Sequence, residues 1–280
     1  MGLGTMFKAN KAYRAQKNGD EAEAMRLYEE CFQEGLADPR YVLAYAVLML
    51  RDGQYQKAKD FLVKHQKAPG MTPDQRVTLI VDYAACCYRL GDLDKGVRKL
   101  EEIFRKNPNG LLYQTLGYLY VEQFDAAKKA AFLARETEQQ EQGGPAEAAI
   151  VAERADAEGE AVPMTLEEQW EAGRQKTLKF NQEAVEYDDV DPVSLDNLGQ
   201  TWYRVMEDRE KAREFFEKAH RIKPEQIDTL YFLSRYDLEE GNTAAAVEKL
   251  EKAAEGRFSP LNYCSRDQVE AEIQKLKEKA

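Results

Sequence analysis

The stretch that runs from Asn18-Gly19-Asp20 through Asp52-Gly53-Gln54 to Leu90-Gly91-Asp92 decides the fold, because each of these triplets stands between two amphipathic segments. A glycine just past one helical pattern and just before the next reads as a tight helix-to-helix connection. Gly19 and Gly53 are 34 residues apart and Gly53 and Gly91 are 38 apart. The extra four fall in Pro69-Gly70-Met71-Thr72-Pro73, a loop that can lengthen without disturbing packing. Glu240-Gly241-Asn242 has the same form much further along the chain. A fixed period of this size predicts a stack of similar helical hairpins.

Recurring residue types accompany the turns. The fifth copy is the clearest, with Leu198-Gly199, Trp202, Ala212, Phe216, Ala219 and Pro224. The sixth keeps Leu233-Ser234, Gly241, Ala246, Leu250 and Ala253, and the third keeps Tyr83-Ala84, Gly91, Leu100 and Pro108. The first keeps Ala12, Gly19, Ala24 and Tyr28, and the second Ala46, Gly53, Ala58 and Leu62. Small residues are needed where two helices cross closely, and large ones fill the space between hairpins. In spacing and residue type the chain resembles the tetratricopeptide repeat (TPR) family. The resemblance implies an all-α fold, a right-handed α-solenoid of TPR helical hairpins, that works by protein–protein interaction rather than as an enzyme.

The fourth copy departs from the pattern. Leu116-Gly117 and Tyr120 supply its first helix, but no turn follows Gln123, and Ala184 with Pro192 appears only far downstream. The expected organisation is therefore repeats 1–3 and the first helix of repeat 4 over 5–123, then an acidic helical insertion with a mobile tip over 124–176. The second helix of repeat 4 and repeats 5–6 follow over 177–262, and a C-terminal capping helix over 263–280 seals the stack. Asp125 to Gln142 is rich in good helix formers, so the first helix is expected to run on. Gly143-Gly144-Pro145 stops it, and Ala146 to Pro163 is low-complexity sequence. Thr165 with Glu168, and Ser265 with Gln268, read as capping boxes that open later helices. Two overlong antiparallel helices would then project as an arm, with Phe132 and Trp170 in contact.

Composition narrows the function. Lys and Arg number 40 against 51 Asp and Glu, a net charge of −11, the wrong sign for holding a phosphate backbone, so no nucleic-acid partner is expected. No apolar run reaches the roughly 20 residues that cross a bilayer, so the chain reads as cytoplasmic with no membrane segment. Cys31, Cys86, Cys87 and Cys264 form no CxxC pair and read as core-filling residues in a reducing compartment. His65 and His220 lie in different repeats, and no phosphate loop, nucleophile elbow or HExxH is present. No catalytic residue, cofactor or metal is expected.

In TPR proteins the first helices line a groove that usually takes an extended peptide or a partner helix. The resemblance places Tyr13, Leu43, Val47, Val81, Tyr88, Gln114, Tyr118, Asp196, Gln200, Tyr203, Tyr231 and Arg235 there. Tyrosine is a favoured interface residue, offering large rigid area with one polar tip, though it also serves packing in this repeat. The Lys and Asn clamp of the carboxylate-binding subgroup is missing: Ala9, Tyr13, Leu43, Val47, Val81 and Ala85 stand at its positions. The function expected is a scaffold that binds a peptide or helix of a protein partner. Self-assembly into a homo-oligomer is the alternative, and helical-repeat RNA binding ranks below both.

Overall fold

A computed structural model describes residues 2–134, 153–155 and 161–278. The chain divides into two compact units. The first comprises Met1–Thr115 with Arg257–Ser265, and the second Leu116–Gly256 with Arg266–Ala280.

The first unit is a run of helical hairpins: α1 (Leu3–Lys17), α2 (Glu21–Gln33), α3 (Pro39–Arg51), α4 (Tyr55–His65), α5 (Pro73–Arg89) and α6 (Leu93–Phe104), followed by the start of α7 (Gly110–Phe124). Polar caps set the helix starts. Asp20 accepts from the Glu23 N–H at 3.1 Å, and Thr72 and Gln75 form a reciprocal capping box ahead of Pro73. Gly19, Gly53 and Gly91 adopt φ of +83°, +74° and +84°. The residue after each sends its N–H back five positions, Asp20 to Ala15, Gln54 to Met49 and Asp92 to Cys87, at 2.8–3.0 Å. Small residues then let the helices meet. Ala12, Ala24, Ala46, Ala58 and Ala84 are fully buried, and a Cβ on Gly96 would lie 3.1 Å from the Ala84 backbone. Phe32, Tyr45 and Phe61 interlock between hairpins, with ring centroids 4.8–5.5 Å apart.

One buried group resists this packing logic. Asp82 of α5 is 9% exposed and its Oδ2 has no hydrogen-bond partner among the described residues. Burial alone lifts its carboxyl to about 7.

The second unit holds the rest of α7, α8 (Lys129–Leu133), α9 (Leu166–Tyr187), α10 (Pro192–Gln200), α11 (Arg209–Ile222), α12 (Ile227–Glu239), α13 (Thr243–Ala254) and α14 (Arg266–Lys277). The helix does not run on through Asp125, contrary to the sequence expectation. Asp125 leaves helical conformation at φ −55°, ψ 124°, and its carboxylate caps Ala127 at 2.9 Å, opening a 3₁₀ turn, Ala126–Lys128, before α8. A carboxylate that can cap its own backbone competes with the helix ladder, and Arg204 fixes it in that role at 2.7 Å. Two short antiparallel strands, β1 (Glu153–Ala155) and β2 (Ala161–Pro163), interrupt the helical order within the low-complexity stretch. Residues 135–152 and 156–160, where most of the expected mobile tip falls, lie outside the described residues.

α9 does begin early, at the capping box of Thr165 and Glu168. Its first turns pack on Phe124 and Phe132, so the expected contact between Phe132 and Trp170 forms. Trp170 is 2% exposed against Phe124 and Phe132, at 5.5 and 5.2 Å, and a Cβ on Gly173 would overlap the Phe124 ring. Arg174 also donates to the Val205 carbonyl at 2.8 Å.

Thr201–Val205 continues α10 as a π-helical turn, after which Glu207 takes the left-handed conformation at φ 60°. Glu207 stands 34 residues before Gly241, whose φ is +77°, so a glutamate fills the place that glycine holds elsewhere. Left-handed backbone costs a residue with a Cβ about 1–2 kcal/mol. Gly241→Ala is therefore expected to lower stability by about 1–2 kcal/mol, and Glu207→Gly to raise it by up to about 1 kcal/mol, in urea denaturation. Asp82 predicts a pH dependence. Its folded pKa lies above the unfolded value near 3.9, so its contribution is favourable below about pH 4 and is lost as pH rises to about 7. Asp82→Asn should leave stability at pH 4 little changed and raise it by about 2–4 kcal/mol at pH 8. An equal change at both pH values would contradict this.

Candidate binding surface

The twelve residues expected on the first helices divide between the units. In the first unit Tyr13 is 42% exposed on α1, with the Lys17 ammonium 5.0 Å from its ring centroid. Leu43 and Val47, one turn apart on α3, are half-buried. Val81 of α5 is buried, whereas Tyr88 is half-buried under the Arg89 guanidinium, 5.1 Å from the ring centroid. Gln114 of α7 is half-buried. Because α1, α3 and α5 pack side by side, Tyr13, Leu43, Val47, Val81 and Tyr88 share one run of first helices.

In the second unit the surface is largely consumed by internal contacts. Tyr118, Asp196 and Gln200 are buried. Gln200 donates to Asp196 at 2.7 Å and accepts from Arg204 at 2.8 Å, while the Thr229 hydroxyl donates to Asp196 at 2.5 Å. Arg204 in turn reaches Glu122 at 2.6 Å and Asp125 at 2.7 Å, and Lys128 donates to Glu122 at 2.8 Å. Burial pushes the Glu122 carboxyl up, but Arg204 and Lys128 beside it more than reverse this and hold it at about 2. Asp196 lies deeper, and its burial outweighs its hydrogen bonds, so its carboxyl is pushed up. Periodicity gave no sign of this network, although an Arg four residues after a Gln and eight after an Asp puts all three on one helix face.

Tyr203 is half-buried among Phe232, Tyr236 and Phe216, at 5.2, 6.0 and 6.4 Å. Tyr231 is half-buried beneath Arg235 at 4.3 Å, and Arg235 pairs with Glu272 of α14. Its Nη2 is buried with no hydrogen-bond partner among the described residues.

Two features escaped the sequence reading. Phe7 of α1 is 76% exposed, and its only signal was an aromatic residue off the Ala9–Ala12 buried face. The other is the segment 257–265, which follows α13 without helical pattern and belongs to the first unit. Its Pro260 and Asn262 carbonyls accept from Arg89 at 2.7 and 3.3 Å. Among the described residues, no group of three or more His, Cys, Asp or Glu could hold a metal ion, and no helix is long and apolar enough to cross a membrane.

No family model matches the sequence, and a search of curated proteins found no match. Solved structures do match. A thermophilic TPR protein of Thermus thermophilus, TTC0263, aligns with TM-score 0.57 and 13% identity over 86% of this chain and 99% of its own. The type IV pilus biogenesis factor PilW aligns with TM-score 0.56 and 12% identity over 97% of this chain and all of its own. A monomeric mutant of IFIT1 with Gppp-AAAA aligns with TM-score 0.57 and 16% identity over 97% of this chain, which spans 56% of that protein. Left-handed turns at the repeat period, buried alanines at the helix crossings and these structural matches converge: the chain has the all-α tetratricopeptide-repeat fold.

Proposed function

We propose that the chain is a non-enzymatic scaffold whose first-helix surface binds a peptide or helix of a protein partner. The observation that carries this reading is the set of accessible apolar side chains on the consecutive first helices of the first unit, Tyr13, Leu43, Val47 and Tyr88. Apolar side chains on a surface built for packing are best explained by a partner that covers them, and tyrosine is enriched where partners dock. Tyr203, Tyr231 and Arg235 extend the reading to the second unit as a more polar, partly filled surface.

A polyanion such as the Gppp-AAAA in the IFIT1 structure fits this chain poorly, since its net charge of −11 repels phosphate. Arg204, the most buried cation of the second unit's network, is committed to Glu122 and Asp125.

The test changes only accessible residues. Affinity capture is run with the intact chain and with a Tyr13→Ala, Val47→Glu variant whose helicity is verified by circular dichroism. At least a tenfold drop in the amount of a specific partner recovered is expected, since two central contacts at about 1 kcal/mol or more each are lost. Equal recovery by a folded variant would remove α1 and α3 of the first unit from the binding surface.

A further inference from the structure

The connection from α13 to α14 is longer than two adjacent helices need, and part of it is structured for another purpose. Ser259-Pro260-Leu261-Asn262 forms a turn clasped by its own side chains. The Asn262 N–H donates to the Ser259 carbonyl at 3.1 Å, the Ser259 N–H to Asn262 Oδ1 at 2.7 Å, and the Leu261 N–H to Ser259 Oγ at 3.2 Å. Proline at the second position fixes φ for such a turn. The turn is therefore held in shape by bonds within itself.

It sits on α5 like a bound ligand. Arg89, steadied over the Tyr88 ring, donates Nε to the Pro260 carbonyl at 2.7 Å and Nη2 to the Asn262 carbonyl at 3.3 Å. Leu261 packs against the apolar cluster of the first unit, to which α5 contributes Leu79, Ala85 and Cys86. The guanidinium fork thus reads two main-chain carbonyls, and one leucine supplies the apolar anchor. Main-chain recognition is indifferent to most side chains. Any chain that presents a preshaped turn with proline followed by leucine meets the same requirements. The resident turn keeps its place with the help of tethering, which supplies an effective concentration of about millimolar without added contacts.

We propose that Arg89 and the α5 face beside Tyr88 form a receptor site for Xaa-Pro-Leu-Asn turns, occupied here by the chain's own Ser259–Asn262. A partner protein bearing such a turn gains the site by displacing the resident. The inference rests on the reading of the first helices as the binding surface, and names what one part of that surface takes.

The test uses a fluorescein-labelled synthetic peptide of residues 257–265, with Cys264→Ser to prevent oxidation, titrated with the full chain by fluorescence anisotropy. Leu261→Asp vacates the site and should bind the peptide at least tenfold more tightly than wild type. Adding Arg89→Ala should abolish that gain. If Leu261→Asp fails to fold by circular dichroism, Ser259→Ala with Asn262→Ala loosens the resident turn while leaving the site intact, with the same expectation. No tightening in the vacated chain, or tightening that survives Arg89→Ala, overturns the proposal. A wild-type dimer by sedimentation that Arg89→Ala dissolves would overturn it in favour of turns exchanged between two copies. Because the peptide is supplied in trans, a negative result beside successful partner capture removes the turn site and leaves the wider binding surface standing.

Discussion

Each regular hairpin depends on one backbone hydrogen bond that closes across a left-handed residue. Where Asp20, Gln54, Asp92 and Asn242 send their N–H groups back five positions, the otherwise unpaired end of the first helix is satisfied and the chain is reversed in two or three residues. That reversal brings the second helix back at a fixed offset, so small residues recur at the crossing. Ala24 and Ala58 are 34 residues apart, and Gly96 follows Ala58 by 38, the same increment that separates Gly53 from Gly91. The period in the turns and the period in the core are one constraint seen twice.

The fifth hairpin meets the same geometric demand with different chemistry. There the first-helix ladder slips into a π turn, a glutamate takes the left-handed position, and Arg204 turns inward to Glu122 and Asp125. A buried ionic cluster rarely adds net stability over an apolar core, but it punishes any arrangement that leaves one charge unpaired. Arg204 thereby ties the end of α7 and the capping residue Asp125 to the turn after α10. This is the point where the fourth hairpin admits its long insertion.

Most of the repeat architecture was legible because it is local: glycine at a turn and alanine at a crossing announce themselves through backbone conformation and size. Asn181, which donates to the Gly117 carbonyl at 3.3 Å and to Thr201 at 3.0 Å, shows where that legibility fails. Its partners lie 64 and 20 residues away, and no periodicity links them. Asp125 misled for a related reason. Its neighbours favour helix, yet its own carboxylate and a distant arginine decide the outcome. The repeat resemblance placed Tyr118, Asp196 and Gln200 along the groove, and tertiary contacts bury all three. Leu43, Val47 and Tyr88 keep part of their surface exposed.

The bond from Arg89 to Pro260 spans 171 residues of sequence, whereas the rest of the first unit is made from residues close together in the chain. At a synthesis rate of about 5–20 residues per second, Arg89 is made roughly 10–30 s before its partner exists. The hairpins around it, rich in local contacts, fold in far less time than that. During every round of translation Arg89 therefore waits for the carbonyl that it holds in the folded chain.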